Sequence, residues 1–176
     1  RYHAADGRSH DYPLPAIGDF HRDAVEELVL RRTSLTVLTI ERGPDWQEVF
    51  ELAGTGWRLQ GYKASQGHRI ELRYASAETP PARSGDIIPG RSDAHALLAP
   101  SLLPAERLSD ILSYRGGEVM AHAQLHWAHG RICALWEITD NQPVRQLASY
   151  DYDDAGDLVR AADANALLLE DCGQAA

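Results

Sequence analysis

The chain has 176 residues, 44% of them hydrophobic and 24% charged, with a formal net charge of -9. That length supports one core of ordinary size, so a single domain is the default. The acidic balance, without a basic run, argues against a phosphate-backbone binder, and no apolar stretch approaches the roughly 20 residues a membrane-spanning helix needs.

The first residues, Arg1-Tyr2-His3-Ala4, carry neither a signal-peptide core nor an initiator Met, so the chain reads as a piece cut from something longer. Ala5-Asp6-Gly7-Arg8 predicts an Asp-Gly turn at Gly7, then a short strand that Pro13 and Pro15 end. Ala24 to Arg31 has the composition of a helical turn, but Leu28 and Leu30 alternate with Val29 and Arg31, which predicts a strand. Thr36–Glu41 is a β-branched run, Gly43-Pro44-Asp45 turns it into Glu48–Leu52, and Gly54-Thr55-Gly56 turns again into Trp57–Tyr62. Gln66-Gly67 closes the next turn. Ile70, Leu72 and Tyr74 then alternate with Arg69, Glu71 and Arg73, the pattern of a half-buried strand.

Ala77–Pro104 breaks this rhythm with Pro80, Pro81, Pro89, Pro100 and Pro104, a loop too long for a hairpin. Leu108, Ile111 and Leu112 share one side of a helical turn over 105–112. Strands resume at Glu118, with a turn at Gly130 and another at Asp140-Asn141. Ala166–Glu170 is one more expected strand.

Few constellations suit chemistry. His122, His126 and His129 would put two imidazoles about 6 Å apart on a helix, as zinc requires. Gly116-Gly117 and Gly130 bracket the segment as a strand instead, which sets His122 and His126 roughly 13 Å apart. Asp151–Gly156 resembles the start of a calcium loop, but Ala155 and Ala162 stand where ligands are required. No serine sits in a nucleophile elbow, and the pairs Glu26-Glu27 and Asp153-Asp154 would point to opposite faces of a strand. Cys133 and Cys172 are too few for a disulfide framework and read as packing thiols. Trp46, Trp57, Trp127 and Trp136 alternate with apolar neighbours and are expected in the core; a ligand-stacking use would require them to be exposed together. No metal, cofactor or catalytic residue is expected.

The most informative stretch is Ser149–Asn165. Tyr150 and Tyr152 stand on one face of an incoming strand, Asp153 and Asp154 supply turn-forming carboxylates, Gly156 takes the positive φ of the turn, and Leu158 begins the return. The pattern Y-x-Y-D-x-x-G-x-L followed by D-A-N resembles the unit of the Rhs/YD-repeat family, large bacterial polymorphic toxins and their relatives. Asp6-Gly7-Arg8 with Tyr12-Pro13-Leu14-Pro15 is similar to the segment ahead of that family's repeats. Trp57–Tyr74 resembles its G-R-L…D-x-x-G-N-R-I-x-L-x-Y unit, with Gln66 and His68 in place of the usual turn residues. Trp127 with Gly130-Arg131-Ile132 is similar to a degenerate unit without its Asp.

The resemblance covers roughly residues 1–76 and 113–171. It implies an all-β fold of antiparallel hairpins in a curved YD-repeat sheet, part of a β-cocoon, with a pre-repeat region at 1–76, a loop and short-helix insertion at 77–112, and repeat hairpins at 113–176. It makes Tyr150, Tyr152, Asp153, Gly156 and Leu158 the structural turn, with Gly7, Gly67 and Gly130 at other turns. The implied role is a non-catalytic shell segment that encloses a C-terminal toxin. Such a shell is made in the bacterial cytoplasm and delivered to competing cells by type VI secretion or related machinery. The partners would be the rest of the shell, the toxin and the secretion apparatus, with no nucleic acid and no membrane span. The family's self-cleaving aspartyl site finds no matching residues here. Two other classes remain open: an acidic immunity protein that neutralises a basic toxin, which the net charge favours, and a carbohydrate-binding β-module, which an exposed pair of tryptophans in a groove would favour.

Overall fold

The computed structural model describes residues 1–4, 6–76 and 106–168. Its strands are β1 (Tyr2–His3), β2 (Ser9–His10), β3 (Phe20–Asp23), β4 (Leu28–Arg32), β5 (Val37–Arg42), β6 (Trp46–Ala53), β7 (Gly56–Ala64), β8 (His68–Ser76), β9 (Glu106–Arg115), β10 (Glu118–Ala128), β11 (Arg131–Thr139), β12 (Gln142–Tyr152) and β13 (Leu158–Asp163). β1 and β2 form a two-stranded sheet, and β3 to β13 are hydrogen-bonded strictly in sequence order in a second. The fold is all-β, as expected. Two compact units divide it: residues 1–72 with 111–122, and 73–110 with 123–176.

In the first unit, period-2 alternation sorts the side chains. Leu30 lies opposite Ile40 and Arg32 opposite Leu38, while the next register position puts Val29 opposite Glu41 and Glu41 opposite Gln47. Leu28, Leu30, Leu38 and Ile40 are therefore buried on one face, and Tyr2, Tyr12, Phe50 and Trp57 pack against them. Each such aliphatic side chain contributes roughly 1.5–3 kcal/mol by leaving water. Tyr2 reaches this core because β1 pairs with β2 through the Asp6-Gly7 turn, where the Gly7 N–H donates to the Ala4 carbonyl at 3.0 Å.

The second unit has a thinner core. Leu125, Ala134, Ile138 and Ala162 are its buried apolar side chains among the described residues. Pro143 sits opposite Ile138 at an irregularity of the β11–β12 ladder, a place that tolerates a residue without an N–H. The outer edge of β13 has no partner strand among the described residues.

Four sequence expectations need correction. The helical turn over 105–112 is strand β9 from Glu106 onward, because Leu112 and Tyr114 are buried two residues apart, a strand period that the local helical spacing concealed; residues 77–105 of the expected insertion lie outside the described residues. The strand proposed for Ala24 to Arg31 begins only at Leu28, since Asp23 Oδ1 accepts the N–H groups of Val25 and Glu26 and holds 24–27 as a turn. The strand expected at Ala166–Glu170 is a helix over 164–168, with residues 169–170 outside the description. Asp163 Oδ1 caps its start by accepting from the N–H groups of Asn165 and Ala166 at 3.0 and 2.9 Å. Finally, Trp46 is not core, since 38% of it is exposed, while Trp57, Trp127 and Trp136 are half-buried, so the four tryptophans are not exposed together.

Gly61, on β7 of the eleven-stranded sheet, occupies a position where a side chain has no room. It follows the β6–β7 bulge at φ +152°, and a Cβ there would collide with the Ile70 carbonyl oxygen on β8. Gly61→Ala is expected to cost at least about 2 kcal/mol in a urea titration. Gly54→Ala, in open space at φ +61°, should cost about 1 kcal/mol.

Candidate functional site

The hairpin between β12 and β13 closes as the residues predict. The Asp153 N–H donates to the Asp157 carbonyl at 3.0 Å, the Gly156 N–H to the Asp153 carbonyl at 2.9 Å, and the Asp157 N–H to Asp153 Oδ1 at 2.8 Å. Gly156 has φ +89°. It also makes room: a Cβ at Gly156 would fall on the Arg131 guanidinium. That guanidinium lies 5.5 Å from the Tyr152 ring centroid, and the Tyr152 hydroxyl donates to the Ile132 carbonyl at 3.0 Å, 20 residues back in the chain. Tyr150 lies opposite Ala161, and Leu158, opposite Tyr152, is exposed.

The hairpin between β10 and β11 carries the same arrangement. Arg107 covers the Trp127 ring at 5.6 Å, and Trp127 Nε1 donates to the Leu108 carbonyl at 2.7 Å, 19 residues back. The turn glycine is again beside the arginine, with the Cβ position of Gly130 3.9 Å from Arg107 Nη2. Antiparallel pairing explains the recurrence. The start of one strand abuts the end of the next, so an Arg-Leu or Arg-Ile opening meets the aromatic that closes its neighbour. Each clamp combines a cation–π contact of about 0.5–1 kcal/mol with a hydrogen bond of about 1 kcal/mol. In the first unit Arg69 covers Tyr114 at 4.1 Å, and Gly67 accepts the Gly116 N–H at 3.3 Å.

A second polar cluster ties the N-terminal hairpin to the first unit's core. The Tyr2 hydroxyl donates to the Glu48 carboxylate at 3.0 Å and accepts from Arg42 Nη2 at 3.4 Å. Arg8 donates to Glu26 at 2.9 Å, and His10 stacks on Tyr12 with ring centroids 5.8 Å apart. His10 Nε2 is 4.0 Å from Glu26 Oε2, too far for a hydrogen bond. The Tyr12 Oη is enclosed near the Asp23 carboxylate without a well-directed hydrogen bond to any described residue. Burial, and then Asp23, push this phenol up to about 12. The Asp23 carboxyl lies below its ordinary range, chiefly because it accepts the Glu26 N–H.

The other sequence candidates are placed as follows. His122 and His126 stand on strand β10, as the bracketing glycines predicted, and His129 is in the turn. His126 is 6.1 Å from the Trp136 ring centroid. Asp151, the first residue of the calcium-like run, pairs with Arg160 at 3.3 Å. Glu26 and Glu27 lie in a turn, with Glu26 directed to Arg8. The Cys133 thiol is half-buried, pushed up by that burial, and donates to the His126 carbonyl at 3.4 Å; Cys172 lies outside the described residues. Sequence reasoning missed the clamp arginines, Arg107 and Arg131. The available signal was an Arg-Leu or Arg-Ile pair followed 19 or 20 residues later by an aromatic.

Removing the clamp donors tests the repeat directly. Trp127→Phe and Tyr152→Phe are each expected to cost about 1 kcal/mol in urea unfolding, because the Leu108 or Ile132 carbonyl loses its side-chain donor. Asp154→Ala at the exposed tip should stay within about 0.5 kcal/mol. Alkaline pH tests the Tyr12 environment. The folded chain keeps this proton where an unfolded tyrosine has lost it, so the contribution is full below 10.0 and is lost as pH rises toward about 12. Tyr12→Phe should flatten that part of the curve of thermal midpoint against pH.

Compared with known proteins, the chain matches no family model and no curated protein.

Proposed function

We infer that this chain is a length of wall from an Rhs/YD-repeat shell, a polypeptide envelope that holds a toxin domain until it is delivered to a competing bacterium. The observation that carries the reading is the clamp repeated in alternate hairpins: Arg107, Trp127 and the Leu108 carbonyl, then Arg131, Tyr152 and the Ile132 carbonyl. A supersecondary unit repeated with its own internal bonds is the mark of an array whose members bury their faces and edges against neighbours. Strands β3 to β13 follow one another in sheet order without a crossover, which suits extension by further hairpins. The outer edge of β13 presents backbone groups of the kind a following strand would pair.

In this role the carboxylates serve the fold. Asp153 holds a turn, Asp163 caps a helix, and Glu48 and Glu26 tie down the N-terminal hairpin. The chain would act as a container and would not itself perform the toxin's chemistry. Its partners would be the remainder of the shell, the enclosed toxin and the secretion machinery.

The size of the native polypeptide tests this reading. An antibody raised against these residues should detect, in the source organism, a band far above 19.4 kDa. A band near 19.4 kDa would mean an independent domain and would overturn the shell reading. The acidic charge of -9 would then direct attention to an immunity protein that covers a basic toxin.

A further inference from the structure

The face of the first unit that carries Tyr2 also carries a pair of aromatic rings. Trp46 and Glu48 are two residues apart on β6 and so share a face, and Glu48 is paired in register with Tyr62 on β7. The Trp46 and Tyr62 rings lie 5.0 Å apart at 34°, a tilted pair. Trp46 is 38% exposed, whereas Trp57, Trp127 and Trp136 are all half-buried. Trp46 thus leaves part of its ring open to solvent beside a second ring.

The polar groups around this pair are already oriented. Both oxygens of Glu48 accept from the Tyr2 hydroxyl, at 3.2 and 3.0 Å, which holds the carboxylate in place while leaving it further acceptor capacity. Arg42 approaches the same Tyr2 hydroxyl at 3.4 Å. Burial, then the charge of Glu48, push the Tyr62 phenol up, so it stays a neutral donor at physiological pH.

We propose that Trp46, Tyr62 and Glu48 form a binding site for a neutral pyranose ring of an oligosaccharide. A pyranose offers an apolar C–H face to stack on Trp46 and equatorial hydroxyls for the fixed Glu48 carboxylate and the Tyr62 hydroxyl. Two other ligand classes fit less well. A cation would gain from Glu48, but Arg42 already places a positive guanidinium in the same network, and cation–π attraction at an exposed ring is weak. An acidic saccharide would approach a chain of net charge -9. Tyr2 is a positioning residue, acting through Glu48.

The experiment is a titration of the full chain, followed by the four tryptophan indole N–H resonances and by calorimetry, with maltohexaose, cellohexaose and chitohexaose as probes and tetramethylammonium chloride as the cationic competitor. At least one hexasaccharide is expected to move the Trp46 resonance, with Trp136 unmoved. Trp46→Ala should weaken its binding about tenfold or more, and Tyr2→Phe a few-fold, since it keeps the ring in the core and removes the hydroxyl that holds Glu48 and accepts from Arg42. Thermal midpoints of both variants guard against loss of fold, and Tyr62→Phe, which retains the ring, is the second variant if Trp46→Ala does not fold. No movement of Trp46 with any of the three sugars overturns the proposal. So does binding that survives Trp46→Ala, or a Trp46 response to tetramethylammonium alone.

Discussion

Side chains that meet across neighbouring strands carry this sheet. Where the strands are joined only by short turns, each residue's nearest partners are those opposite and diagonal to it on the next strand, and those pairs are the unit of stabilisation. The first unit shows the apolar form, Leu30 opposite Ile40 and Leu38 opposite Phe50, with the N-terminal hairpin laid over them through Tyr2 and Tyr12. The second shows the polar form, in which an arginine roofs an aromatic ring and the aromatic donates to the backbone beside that arginine. The clamp matters more there because the buried apolar side chains, Leu125, Ala134, Ile138 and Ala162, include two alanines with little surface to bury.

This division leaves several carboxylates of the described residues engaged in the fold itself. Three of those that sequence inspection singles out have partners: Asp153 accepts a backbone N–H, Asp151 pairs with Arg160 and Glu26 with Arg8. The His122–His126–His129 run is spread along a strand and into a turn, where alternation and rise keep the imidazoles from converging.

The glycines show how one residue type answers different constraints. Gly156 combines a left-handed turn conformation with clearance for the Arg131 guanidinium, so the turn and the clamp share a requirement. Gly61 answers a different one, the close passage of β8 past a bulge in β7. A turn glycine is visible in sequence beside its aspartates. A clearance glycine is not, because the atom it must avoid belongs to a strand elsewhere in the chain.

What the sequence by itself determined is the class of fold and the positions of most hairpins. Period-2 alternation and Asp-Gly, Gly-Gly and Asp-Asn turns are local signals, and they predicted the strands around Ile70, the turns at Gly7, Gly67, Gly130 and Asp140, and the Asp153–Gly156 tip. Only the tertiary structure decided the rest. Residues 106–112 have helical spacing but lie between two strands whose backbone groups require partners, so pairing overrode local pattern. Conversely, residues 164–168 form a helix because the Asp163 carboxylate caps the first turn, a contact that alternation does not register. The clamps and the Trp46–Tyr62 pair belong to this second class. Register between strands decides which side chains meet, and register is set by turns and bulges acting together rather than by any one stretch of residues.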